Sequence, residues 1–260
     1  NLEKIMKILN KIIIIVIAVT GLYATFLITS DLSIISEKIS SFKIGFLPII
    51  ISLVTSGWFV IFVRWHLLLK NSKIFIPKKD SLLIFFSGFA LAVIPGKAGD
   101  LIKSQLLKTK FGIPRSKTVP IVILEQLYTV IGLVFLSFFG IWYFELGMYV
   151  IGFFIALLVF VFILISSRKI FNKVVLLLEK WKYTSKFVEP LSSSYDTIKK
   201  SIRGPIAFYA SALTIIYWLI ETIVVYFTLL AFGIDSIEFL KVIPTYTTSL
   251  MLGFLSFLPM

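Results

Sequence analysis

Apolar residues in this chain run in long blocks rather than alternating at short period, and basic connections separate the blocks. A helix rising about 1.5 Å per residue needs about 20 apolar residues to cross about 30 Å of hydrocarbon. Five blocks meet that length: Ile12–Thr29, Ile44–Leu69, Val119–Phe139, Met148–Ser166 and Pro205–Phe232. Two more fall short. Ser81–Ile94 is stopped by Pro95, and Val242–Leu258 is interrupted by Pro244 and stopped by Pro259. The pattern predicts an all-α polytopic membrane protein, with about five full crossings and two broken ones in a single transmembrane domain over residues 1–260.

Charge in the connections orients these crossings. Lys and Arg number three before the first block, five from Arg64 to Lys79, six from Lys97 to Lys117 and nine from Arg168 to Arg203, while the other connections hold only Lys38, Lys43 and Lys241. Cytoplasmic loops carry such an excess, so the expectation is a multi-pass protein of the cell membrane with a cytoplasmic N-terminus. The first block follows Lys4, Lys7 and Lys11 as the core of a signal peptide would. No small-residue cleavage site follows it, which predicts a retained helix.

The same count bends the two short blocks. Ser81–Ile94 is basic on both flanks, so it is expected to enter from the cytoplasm and turn back; Val242–Leu258 follows Asp235 and Glu238 and is expected to enter from the opposite face. Each comes after a long crossing and ends in an apolar-proline step. Two broken or re-entrant helices at corresponding positions, oppositely directed, form the pattern of an inverted repeat and point to a transporter's binding site.

Composition narrows the class further. Hydrophobic residues make up 58% of the chain and charged residues 15%, too little charge to cover the surface of a soluble domain. Mean hydropathy is +1.01. The absence of cysteine excludes disulfides and thiolate metal sites, and a lone histidine, His66, leaves no histidine cluster, so no metal or cofactor is expected. The net charge of +13 reflects loop bias and attraction to anionic headgroups. No basic patch carries the aromatic interleaving of a nucleic-acid reader, so nucleic acid is not an expected partner. Within the basic connection 167–204, expected on the cytoplasmic side, Phe171–Tyr183 sets Val174, Val175, Leu177, Leu178 and Trp181 beside Lys173, Lys180 and Lys182, a pattern suited to a helix in the headgroup plane. Thr184–Lys200 reads equally as a solvated basic loop.

Candidate chemistry concentrates where the first short block breaks, at Pro95, Gly96, Lys97, Gly99 and Asp100. Pro95 removes a donor and leaves carbonyls without partners, a state tolerated at membrane depth only inside protein or beside water. Asp100 stands where it would cap a helix over Leu101–Lys110, and the start of that helix beside Lys97 is either an anion site or a turn whose lysine reaches water. Glu125 and Glu221 fall within apolar blocks, where a charge costs about 2.5–3.5 kcal/mol on insertion scales and calls for an interior partner. Each reads as a contact for a headgroup amine, a counter-ion for Lys97 or Arg64, or a proton carrier; Glu125 alternatively reaches the cytoplasmic interface. Arg64, followed by Trp65 and His66 near a helix end, reads as a snorkelling cation with an aromatic anchor or as a polar element of the interior. Tyr128, Tyr217, Trp218 and Tyr226 read as packing or belt aromatics.

Several stretches together resemble a known family. RW-x-x-LL at Arg64–Leu69, PGKAGDLIKSQLL at Pro95–Leu107 and LEQL at Leu124–Leu127 are similar to the transmembrane family of lysylphosphatidylglycerol synthases and flippases. The closing GFLSFLP, Gly253–Pro259, resembles the start of that family's second motif, so further helices are expected beyond Met260. The resemblance implies movement of a charged-headgroup lipid between leaflets, with Arg64, Lys97, Asp100, Lys103 and Glu125 as polar elements of the first half. Gln126 and Thr129 depart from it, standing where the family often has an arginine and an acid.

The expected function is therefore a flippase or scramblase for an anionic or polyprenyl-phosphate lipid. The alternatives are a membrane enzyme transferring an aminoacyl or sugar group to a lipid, or a partner subunit of a separate synthase or transferase. Enzymatic chemistry lacks a visible basis, because no closely spaced acid pair stands in a cytoplasmic connection and no soluble catalytic domain is present.

Overall fold

The computed structural model describes residues 39–90, 100–140, 145–180 and 188–256, together with positions 17, 20, 21 and 25. The described residues form nine α-helices and no strand. They are α1 (Leu47–Asn71), α2 (Lys78–Ala90), α3 (Leu101–Phe111), α4 (Arg115–Ser137), α5 (Glu145–Ser166), α6 (Arg168–Glu179), α7 (Val188–Ser201), α8 (Gly204–Ala231) and α9 (Phe239–Ser256). Four are long and apolar enough to cross a membrane: α1 with its preceding turn from Ile44, α4, the Met148–Ser166 part of α5, and α8. These match four of the five predicted crossings. The fifth, Ile12–Thr29, lies outside the described residues apart from isolated positions, as do Pro95, Gly96, Lys97, Gly99 and Pro259.

Burial identifies the axis of the bundle. The apolar window of α4 is 61% buried, against 11%, 22% and 17% for those of α1, α5 and α8. The outer helices turn large apolar side chains outward, among them Phe59 of α1, Phe153 and Phe160 of α5 and Phe208 of α8. In water such a surface would aggregate; in hydrocarbon it is the compatible one.

Helices α1 and α8 lie antiparallel and packed along their length. The Lys43 amide, just before α1, donates to the Ala231 carbonyl at the end of α8 at 2.9 Å. At the other end Asn71 of α1 donates to Ser201, three residues before α8 begins, at 2.8 Å. Pro48 and Pro205 stand in the first turns of these helices, where a missing amide donor costs nothing.

Between α1 and α4, helices α2 and α3 form an antiparallel hairpin. Asp80 at the start of α2 pairs with Lys110 at the end of α3, while Gly88 near the end of α2 lies against Asp100 and Lys103 at the start of α3. The described 13 residues of α2 extend about 20 Å, and the 11 residues of α3 about 17 Å, the latter short of a full crossing. Gly112, at φ +66°, ends α3 in the left-handed region, its amide bonding back to the Leu107 and Lys108 carbonyls.

Two features differ from the sequence reading. Residues 188–201 are helical where a solvated loop was an equal expectation: α7 buries Tyr195 and Ile198 while Phe171 of α6 packs on the Tyr195 ring at 4.7 Å between centroids. Pro244 does not interrupt its block, because it stands at the sixth position of α9, where its ring removes one helical bond and leaves a continuous helix from Phe239 to Ser256.

Candidate functional site

Two apolar clusters fill the interior, and the site lies between them. One gathers Trp65, Leu68, Phe85, Leu107, Ile121, Leu124 and Tyr128 around the α2–α3 hairpin. The other gathers Leu133, Leu136, Phe154, Trp218, Ile243 and Met251 where α4, α5, α8 and α9 meet. Along α4 the change from one to the other falls between Tyr128 and Leu133, just beyond Glu125; along α8 it falls at Thr214, between Ala210 and Trp218.

Lys103 and Glu125 make the central contact, Nζ to Oε2 at 2.9 Å, with side chains 5% and 4% exposed. Asp100 stands 3.1 Å from the same Nζ, and its other oxygen accepts a 2.7 Å hydrogen bond from Gln126. The ammonium also faces the Trp65 and Phe85 rings at 5.2 and 5.5 Å from their centroids, an arrangement favourable to a desolvated cation. Glu125 and Asp100 compensate the burial of the Lys103 ammonium by direct contact.

Arg64 reaches the same layer from α1. It is 5% exposed and donates from one terminal nitrogen to Thr214 of α8 at 2.8 Å and to Thr129 of α4 at 3.5 Å. Its Nε has no partner among the described residues. Arg64, Asp100, Lys103, Glu125, Gln126 and Thr129 line a pocket of about 100 Å³, closed by Ile61, Phe85, Phe89, Tyr217 and Trp218.

Several expectations change here. Arg64 does not snorkel and Trp65 is no interfacial anchor: both are buried, because the face of α1 that bears them packs on α3, α4 and α8. Glu125 is held inside by Lys103 rather than reaching an interface. Asp100 does not cap α3: its backbone is already helical at φ −60°, ψ −22°, and its carboxylate is turned to Lys103 and Gln126. Glu221 is half-buried one turn beyond Tyr217, its hydrogen-bond partner, and does not line the pocket. Lys97 lies outside the described residues, so the structure brings together Arg64, Asp100, Lys103 and Glu125 of the predicted set.

Sequence reasoning missed Gln126, Thr129 and Thr214 as partners in this layer, and Gly88 as the seat of the ion pair. The two departures from the family pattern, Gln126 and Thr129, were the available signal, since both turn out to face the charges. A Cβ on Gly88 would come within 2.7 Å of an Asp100 carboxylate oxygen and 2.8 Å of Lys103 Cε. Both are ends of flexible side chains that move at little cost. Gly88→Ala is therefore expected to leave the thermal midpoint within about 4 °C of the parent, a change worth under about 1 kcal/mol, while weakening the Lys103–Glu125 coupling measured by a double-mutant cycle. An unchanged coupling energy would show that the glycine does not set the pair's geometry.

The comparisons agree with this architecture. A family model described as Lysylphosphatidylglycerol synthase TM region matches residues 12–260. No curated protein and no solved structure matches the chain. With four apolar spanning helices and a match across nearly its whole length, the chain belongs to the family of the lysylphosphatidylglycerol synthase TM region, as a multi-pass membrane protein whose function concerns membrane lipids.

Proposed function

We propose that this protein moves a charged-headgroup phospholipid or polyprenyl-phosphate lipid between membrane leaflets, by a flippase or scramblase mechanism. The observation that carries the reading is the buried layer of Arg64, Lys103, Glu125 and Asp100, set between two apolar clusters and beside a pocket. Charges at such depth are expensive, and in membrane proteins they mark the paths of polar cargo. Outside this layer α4, α8 and α9 frame an apolar groove of about 470 Å³, lined by Phe135, Leu136, Ile215, Leu219 and Ile243 among others, compatible with lipid chains while a headgroup passes through the interior.

In this reading the α2–α3 hairpin enters the membrane from the cytoplasm and turns back, presenting Asp100 and Lys103 near its tip. The N-terminus lies in the cytoplasm of a cell-membrane protein, as the basic connections require. The α1–α2 and α8–α9 pairs are the two copies of an inverted repeat, each a long helix followed by a short one; the antiparallel packing of α1 on α8 supports this.

Glu125→Gln tests the reading with little risk to the fold, because Lys103 keeps Asp100 at 3.1 Å as its partner. In vesicles reconstituted with purified protein and fluorescent phospholipid, the variant is expected to translocate at least about tenfold more slowly, because the Lys103 ammonium loses the carboxylate that holds it in the site. Wild-type vesicles no faster than protein-free ones would sink the transport reading. Equal rates for variant and wild type would sink the site.

A further inference from the structure

We infer that the pocket is a phosphate site with Arg64 as its ligand, selective for a headgroup of net negative charge over one that carries an added ammonium. This deepens the transport reading and rests on it for the source of the ligand.

The charge inventory of the pocket is uneven. Four charged side chains line it; they sum to zero but are unevenly placed, since three of them form one contact cluster. Lys103 stands between the two carboxylates at 2.9 and 3.1 Å, and Gln126 takes the remaining Asp100 oxygen at 2.7 Å. Arg64 is the exception. Its guanidinium has five N–H donors in a planar fork. At 5% exposure it meets two neutral hydroxyls through one nitrogen, its Nε is unpartnered, and no carboxylate stands within ion-pair distance of it among the described residues.

A buried, hydroxyl-held guanidinium beside an open pocket is the most favourable place in the site for an anion, and its fork matches two phosphate oxygens at once. An incoming ammonium meets the opposite situation. It would have to draw Glu125 or Asp100 away from Lys103, which is itself only 4% exposed and would lose its partner without gaining water. At about 100 Å³ the pocket is far below the ~300–1,000 Å³ of sites that enclose a whole small molecule. It suits a phosphate and its first substituent, with the rest of the ligand outside.

The test pairs binding with transport on the full chain. Binding to detergent-purified protein is measured with short-chain phosphatidylglycerol, short-chain lysyl-phosphatidylglycerol, a short-chain diacylglycerol and glycerol phosphate; translocation of fluorescent forms of the first two is measured in vesicles. Phosphatidylglycerol is expected to bind at least about tenfold more tightly than its lysyl ester or diacylglycerol. Arg64→Lys, which keeps the charge and loses the fork, is expected to weaken that binding about tenfold. Equal or tighter binding of the lysyl ester by the wild-type protein, a comparison that needs no variant, overturns the inference while leaving transport intact. So does an Arg64→Lys variant that folds and binds as the parent does. Arg64-dependent binding of phosphatidylglycerol without translocation of either lipid upholds the phosphate site and removes the transport reading. Glycerol phosphate bound as tightly as the lipid supports the same phosphate chemistry but assigns it to a soluble ester.

Discussion

Lys103→Met is expected to destabilise the protein by about 3–5 kcal/mol, the largest effect of any single substitution in the site. Methionine fills nearly the same volume between Trp65 and Phe85, so the loss comes from electrostatics rather than from a cavity. Glu125, 3% exposed, would be left without a cation, since Arg64 makes no ion pair with it. The α2–α3 hairpin would also lose the bond that draws α3 onto α4 in the interior, leaving the Ser104–Thr118 hydroxyl pair and the Gln105–Arg115 contact between the two helices. Thermal unfolding in detergent checks the expectation. The double variant Lys103→Met with Glu125→Leu is expected to recover part of the lost stability, because the deeply buried carboxylate is gone while Asp100, 22% exposed, keeps only Gln126 as a partner. It is not expected to recover lipid translocation. A single variant as stable as the parent would mean that the pair does not hold the hairpin in place.

Gly132→Ala is expected to cost about 1–3 kcal/mol, the range for overpacking a filled interior. A Cβ there would come within 2.7 Å of Thr214 Cγ2, 3.0 Å of Trp218 Cδ1 and 3.4 Å of the Thr214 backbone carbon. Unlike the neighbours of Gly88, these atoms belong to a short branched side chain, an aromatic ring and the backbone of α8, and none moves without the helix. The wedge would shift Thr214, which accepts the 2.8 Å hydrogen bond from Arg64. The variant is therefore expected to combine a lowered thermal midpoint with weaker phosphatidylglycerol binding. Gly152→Ala on α5 is the control: nothing lies within 4 Å of its Cβ position. There alanine is expected to be neutral or to stabilise by up to about 1 kcal/mol through helix propensity. Equal behaviour of the two variants would show that α4 and α8 do not depend on the close approach at Gly132.

The membrane class and the crossings were legible because hydropathy accumulates along the chain. A long run such as Met148–Ser166 needs no partner to declare itself, and Arg115–Ser137 was placed to within a few residues from its own composition. Helix α7 was harder to read. Val188–Ser201 is polar enough to pass for a loop, and its helix depends on a face, with Tyr195 and Ile198, that becomes apolar surroundings only when α4 and α6 pack on it. Pro244 misled in the other direction, because a proline near the start of a helix removes one bond rather than the helix.

The charged residues divide in the same way. Sequence alone determined that Arg64, Asp100, Lys103 and Glu125 are candidates, since ions in or beside apolar blocks are costly without a purpose. Tertiary structure decided their partners. Glu125 meets Lys103 across 22 residues, Gln126 meets Asp100 across 26, and Arg64 meets Thr214 across 150. Hydropathy and helical period are local properties, whereas ion pairing at 3 Å depends on how four helices cross, and the approach of α8 to α4 turns on Gly132, whose missing side chain carries no signal in the pattern. Hydropathy alone places this protein in the membrane with charge inside its apolar blocks; the packing of the bundle sets both carboxylates on one lysine and the arginine on two threonine hydroxyls.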